Sequence, residues 1–428
     1  MFAFYFFFHA SMVRQEKQES PATLRRCSKL PSFLMTSEAG SFAQRTIVHR
    51  KPKIINEVMA NNQYPMRVNK GLLKFKHEIL HEKVRALTED AEDVDRWNKI
   101  WRSFKGKTWL EIPWYFAESY FYRRLLEAVE YFQSGTLYMC DPFQHSKKKL
   151  LKECLTSVRA ALDTIRKIQS PKKRFEHILH ASLWGNRIDL SNITVADEIR
   201  RRQTILEREN LLINDFPEIL SAFREHVFSH VAFLNDNVGM ELGMDLFLAD
   251  FLLENKWVHS VTFILKPYPF FVSDAMPKDL EEMLKTLVHS KDLVLSRFGK
   301  RMEESLSAGT FRITTDWFWA SPHHFCEMPP RLKEAISQFD LVISKGDVNY
   351  RRLLSDRHWP YTTPIEDIVH YFPTSILILR TLKGEIIVGL KEAQAESIEA
   401  EDPEWLINGE RGLIQYVKHC SGKAHPVN

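Results

Sequence analysis

The stretch Val231-Ala232-Phe233-Leu234-Asn235-Asp236-Asn237-Val238-Gly239-Met240-Glu241 holds an apolar run, a polar break and the start of a helix. Four apolar residues that stop at polar side chains have the pattern of a buried strand. Beyond Gly239, the side chains Met240, Met244, Phe247, Leu248, Phe251 and Leu252 recur at helical spacing. Three further runs repeat the strand pattern: Ser260 to Leu265, Leu341 to Ser344 and Ser375 to Leu379. A Pro-punctuated loop and a helix near 277–288 follow the second of them. Alternating strands and helices predict an α/β fold over residues 191–428, a parallel sheet with helices on both faces. Ligands of open sheets bind beyond the carboxyl ends of the strands.

Polar clusters stand at those ends. Asn235-Asp236-Asn237 with Glu241 follows the first strand, and Val272-Ser273-Asp274 the loop after the second. Lys345-Gly346-Asp347-Val348-Asn349-Tyr350-Arg351 ends the third, and Arg380-Thr381-Leu382-Lys383 the fourth. Two carboxylates and an amide carbonyl (Asp236, Asp274 and Asn237) are hard oxygen ligands suited to Mg²⁺ or Mn²⁺. Lys345, Arg380 and Lys383 offer cations to a phosphate. The helix that starts after Asn237 adds an amino-terminal dipole that favours an anion. Together these groups suit phosphoryl transfer, which consists of positioning and charge neutralisation. Water attack and attack by Asp236 through an aspartyl-phosphate both stay open at this level.

Upstream, residues 36–190 read as a helical region. The aromatic segment Trp114 to Leu126 follows Pro113 without a breaker, so most of it must be buried. Its Glu118, Arg123 and Arg124 then need partners, either internal ion pairs or a polar cleft. Lys147, Lys148 and Lys149 read as a solvated face. Residues 1–35 read as a disordered extension. Its aromatic run from Phe2 to Phe8 has no basic residue before it and is too short for a membrane helix.

Charge argues against a nucleic-acid partner. The 428 residues carry 59 Lys and Arg against 55 Asp and Glu, and residues 1–60 alone hold nine against four. The remainder is essentially neutral, whereas a nucleic-acid face must neutralise phosphates. The five cysteines are odd in number, widely spaced and without a CxxC pair. They fit a reducing compartment, the cytoplasm or the nucleus beside it. The expected partner is a small phosphate ester, with neither nucleic acid nor membrane, and oligomeric state is left open.

The ordered motifs resemble the damage-control phosphatases, subfamily III, from about Ser37 to Val417. Matching segments include Pro113-Trp114 with Glu118 to Arg124, Ser182-Leu183-Trp184-Gly185-Asn186-Arg187-Ile188-Asp189-Leu190-Ser191, and Asp236-Asn237 with Glu241. Others are Phe271-Val272-Ser273-Asp274, Phe318-Trp319 with Pro322-His323, the segment Lys345 to Arg351, and Arg380-Thr381-Leu382-Lys383. The resemblance implies a helical amino-terminal region on a Rossmann-like α/β/α domain. It implies metal ligation by Asp236, Asn237 and Asp274, with Mn²⁺, Ni²⁺ or Co²⁺ preferred and Mg²⁺ possible. Substrate contacts would come from Glu241, Asp347, Asn349, Tyr350, Arg351, Arg380, Lys383 and Asn186. Substrates would be sugar phosphates such as fructose 1-phosphate and fructose 6-phosphate. Asn235 departs from the pattern, since an apolar residue is expected there. The alternative activity is S-adenosylmethionine-dependent methyl transfer to protein glutamates, against which stands the lack of a GxG adenosine-binding turn.

Overall fold

The computed structural model describes residues 30–185, 209–225 and 228–419. Asn186, the rest of its motif and the aromatic run Phe2 to Phe8 lie outside the described residues. Those from Pro31 onward form one compact unit. Residues 31–35, expected in the extension, are part of it: Phe33 bridges Arg357 and Met35 bridges Pro113.

The centre is a seven-stranded sheet of β1 (Leu211–Asn214), β2 (His230–Leu234), β3 (Ser260–Leu265), β4 (Phe311–Thr315), β5 (Leu341–Lys345), β6 (Ser375–Thr381) and β7 (Gly412–Val417), in the order β1-β7-β6-β5-β2-β3-β4. From β6 to β4 every pairing is parallel, so the α/β expectation holds for five strands. The all-parallel expectation does not hold. β7 pairs antiparallel with β6, and β1 runs parallel to β7, which gives a reversed edge. No helical crossover is needed to return the chain in that orientation. The four strands expected from sequence all appear. Those that were missed, β1, β4 and β7, lie at or beside the edges, where only part of a strand need be apolar.

Several helices build one large core against the sheet. Met240–Glu254 is buried on all sides as far as Leu252, because it packs against both Gln144–Arg166 and Pro171–Trp184. The last two helices were expected in the helical region, yet Val158, Leu162, Ile178 and Leu179 belong to the sheet's core. A second core unites Ile47, Leu72, Trp97, Phe121 and Leu125 of the amino-terminal helices with Tyr268 and Phe270 from the loop after β3. Along the amino-terminal part of the chain, Phe143 still belongs to the second core and Cys154 already to the first. Each large apolar side chain fully buried in them contributes about 1.5–3 kcal/mol.

Charges inside this packing are paired. On the aromatic helix Trp114–Ala128, Arg123 binds Asp93 and Glu89, and Arg124 binds Glu78 and Glu127. Lys147 is not solvated: it is buried and bridges Asp279 (2.8 Å) and Asp141 (3.2 Å).

Candidate active site

Because β2, β3, β5 and β6 are mutually parallel, their carboxyl ends share one edge of the sheet. Asp274 reaches that edge through backbone bonds. Val238 N–H donates to Ser273 O and Ala275 N–H to Asp236 O, each at 2.8 Å, so that Asn237 and Asp274 face each other in an antiparallel bridge. Asp236 and Asp274 are 7% and 2% exposed. Gly346 makes the close approach of the β5 end possible. At φ +80° it lies against Asp236, and a Cβ there would overlap the carboxylate.

Electrostatics mark this cluster as crowded with negative charge. Burial, then Asp274 and Glu241, push the Asp236 carboxyl well above its usual range, against the pull of Lys266 and Lys383. Asp274 is pushed up to about 7 by burial, although Lys266 and Lys147 oppose the shift. Its Oδ2 is buried, accepts no hydrogen bond and lies 3.7 Å from Lys266 Nζ. A free buried carboxylate oxygen beside a second carboxylate fits a hard divalent cation. Among the described residues no three His, Cys, Asp or Glu side chains are grouped to hold a metal; here the third donor is an amide. Asn237 Nδ2 donates to Asp236 Oδ2 (2.6 Å) and Glu241 Oε2 (2.9 Å), and Oδ1 accepts from Ser273 Oγ (2.6 Å). Presenting Oδ1 to a cation requires the carboxamide to turn over. The Ser273 hydroxyl can serve either orientation, because it donates and accepts.

The cluster opens into a pocket of about 310 Å³ lined also by Glu241, Asp347, Arg351 and Lys383. Three expected substrate contacts do not line it, and each has a structural reason. Asn349 is buried and donates to the carbonyls of Lys345 and Leu234. The Tyr350 hydroxyl accepts from Val388 N–H, and its ring lies 4.2 Å from the Arg380 guanidinium. Arg380 binds Asp347 Oδ1 and the carbonyls of Ile386 and Gly384, so it orients Asp347 instead of meeting a phosphate. Lys345 is withdrawn too. Fully buried, it contacts Ser182 O (2.6 Å), Ser182 Oγ (2.8 Å), Asp245 (3.0 Å) and Glu241 (3.4 Å). Asn235, the departure from the family pattern, donates to Asp245 Oδ2 at 3.1 Å.

The helical region contributes the opposite wall: Glu118, for which a polar cleft was one expectation, and Phe42, Arg50, Trp114 and Tyr122, which sequence reading did not assign to a pocket. Glu118 accepts from Lys51 Nζ (2.7 Å) and Arg351 (2.5 Å), and Arg351 forks onto Asp356 while stacking 3.3 Å from the Trp114 ring. Burial alone would raise the Glu118 carboxyl, but Lys51 and Arg351 hold it down at about 2. Of the alternatives for Glu118, internal pairing or a cleft, the structure shows both. Lys266 was missed as well; its signal is a charge directly continuing the apolar run of β3.

Residues 41–398 match the family model of the damage-control phosphatase ARMT1-like domain. Relatives named damage-control phosphatase ARMT1 include that of Macaca fascicularis, 31% identical over 436 residues, covering 90% of this chain and 98% of the relative. The Homo sapiens protein is 31% identical over 437 residues with the same coverage, and the Danio rerio protein 29% over 436, covering 90% and 97%. A solved structure of a DUF89 family protein from Pyrococcus horikoshii is 16% identical, with a TM-score of 0.47, over 87% of this chain and 96% of that one. On the family match and the relatives' identity across nine-tenths of its length, this chain belongs to the damage-control phosphatase ARMT1-like family.

Proposed function

We propose that this phosphatase hydrolyses small sugar phosphate monoesters, with fructose 1-phosphate and fructose 6-phosphate as the first substrates to try. The observation that supports it most is the bridge between Asn237 and Asp274, which sets two acids and an amide together in a pocket with Lys383. Asp236, Asn237 and Asp274 would hold a divalent cation such as Mn²⁺, Ni²⁺, Co²⁺ or Mg²⁺. When bound, such an ion polarises a phosphoryl group and acidifies water. Lys383 neutralises charge on the phosphoryl oxygens. Asp347, fixed by Arg380, is an acceptor for a sugar hydroxyl, and Glu241, fixed by Lys345, orients Asn237. Trp114, Tyr122 and Phe271 form an apolar wall that limits water at the reacting end.

The test is phosphate release from a panel of sugar phosphates, each with Mn²⁺, Ni²⁺, Co²⁺ or Mg²⁺. Turnover that requires the metal and disappears in Asp236→Ala supports the reading. Turnover that survives in Asp236→Ala overturns the site.

A further inference from the structure

The helical stretch from Phe42 to Asn61 is not a uniform α-helix. Phe42–Arg45 and Lys51–Asn61 are α-helical, but Thr46–Arg50 between them is a π turn, closed by Lys51 N–H donating to Thr46 O. The sequence supplies a cause. Pro52 has no N–H to give to Val48 O, and its ring crowds that carbonyl, so a regular α turn cannot run through this point. Single π turns inside α-helices recur at functional sites.

This turn changes which way Arg50 faces. Eight residues of unbroken α-helix rotate through about 800°, which would leave Arg50 roughly 80° from Phe42. The wider π turn rotates less per residue, and both Phe42 and Arg50 line the pocket. Lys51, one residue on, is engaged within the protein. It is buried, pairs with Glu118 and sits 4.8 Å from the Tyr122 ring. Of the two adjacent cations, Lys51 is thus paired and Arg50 is not.

Arg50 is exposed, and among the described residues its side chain makes no hydrogen bond or ion pair. Arg351, also lining the pocket, is consumed by Glu118 and Asp356. The second unpaired cation lining the pocket is Lys383, just past β6. Arg50 comes to the pocket from the helical region and Lys383 from the sheet. A guanidinium held free at a pocket wall is a fork suited to phosphate or carboxylate oxygens.

We infer that Arg50 is an anion-recognition residue, through which the helical region grips an anionic group of the substrate in the pocket that holds Asp236, Asn237 and Asp274. This deepens the phosphatase reading and rests on it for the identity of the pocket. The group recognised is either the phosphoryl group that is cleaved or a second anionic group on the same molecule.

The experiment compares wild type, Arg50→Gln and Arg50→Lys, each loaded with Mn²⁺. Calorimetry measures binding of inorganic phosphate, and steady-state kinetics measures fructose 1-phosphate and fructose 1,6-bisphosphate. Losing one charge-assisted contact should weaken binding roughly 10-fold or more. In Arg50→Gln that loss should appear in KM or in the phosphate Kd with kcat little changed, and Arg50→Lys should recover part of it. An equal loss for both esters assigns Arg50 to the cleaved phosphate, and a loss confined to the bisphosphate assigns it to a second anion. Phosphate Kd and both KM values within twofold of wild type in Arg50→Gln would overturn the inference and leave the phosphatase reading standing. If wild type cleaves neither ester, the sugar phosphate reading fails, and calorimetry with phosphate and the bisphosphate still decides the role of Arg50.

Discussion

Asn237 and Asp274, far apart in sequence, face each other in a bridge held by the backbone bonds of Val238 and Asp236. The pairing is made by main-chain atoms, so the acids are brought together before any ligand is considered. Substitution of their side chains should therefore change chemistry more than fold.

Asp236→Ala should abolish phosphate release without lowering the melting temperature. The carboxylate is buried beside Asp274 and Glu241, and its removal relieves repulsion. A phosphate-release assay with Mn²⁺ and a thermal melt on the same preparation check both halves. A melting temperature lowered by many degrees would mean that Asp236 is structural.

Gly346→Ala should cost activity and stability together. The residue must hold φ +80° and its new Cβ would displace Asp236. Gly309→Ala is the control, since Gly309 has φ +72° but open space around it. Backbone strain alone costs on the order of 1–3 kcal/mol. Urea unfolding should show a larger loss at 346, and phosphate release should fall only there.

Lys345→Met should destabilise the protein by ~3–5 kcal/mol, the usual cost of breaking a buried pair. It leaves Asp245 and Glu241 without their shared ammonium and Ser182 without its donor. Equilibrium unfolding in urea measures this. A phosphate-binding role for Lys345 predicts the reverse, a raised KM with unchanged stability.

The Glu118 carboxyl should make stability depend on acid. Its folded pKa, about 2, lies below the ordinary 4.5, so its ion pairs contribute fully above pH 4.5. That contribution disappears as the pH falls through 2. The stability gap between wild type and Glu118→Gln should therefore be widest near neutral pH and shrink below 4.5, with Lys51 and Arg351 as the groups that face it. A gap that is constant from pH 7 to pH 3 would contradict the pairing.

Val231 to Leu234 and the three runs like it were legible as strands because central strands are apolar on both faces. The edge strand β4, Phe311-Arg312-Ile313-Thr314-Thr315, was not, because its exposed positions break the apolar run. Asp236, Asn237, Glu241 and Asp274 were legible as a site because they follow strand ends. The helical wall with Arg50 was not, since nothing local to residue 50 records that it faces a pocket built some 190 residues later.

The sequence by itself determined the strand–helix alternation, the acidic and amide groups at the strand ends, and the need for partners inside the aromatic helix. These follow from local periodicity and from the cost of burying charge. Only the tertiary structure decided which cations meet the pocket. Lys345 and Arg380 lie within strands of the sheet and are taken up by acids and carbonyls of the protein itself, whereas Lys383 stands just past β6 and lines the pocket. In a strand the side-chain direction reverses at each residue, and composition carries no record of which neighbours the fold will place on either side.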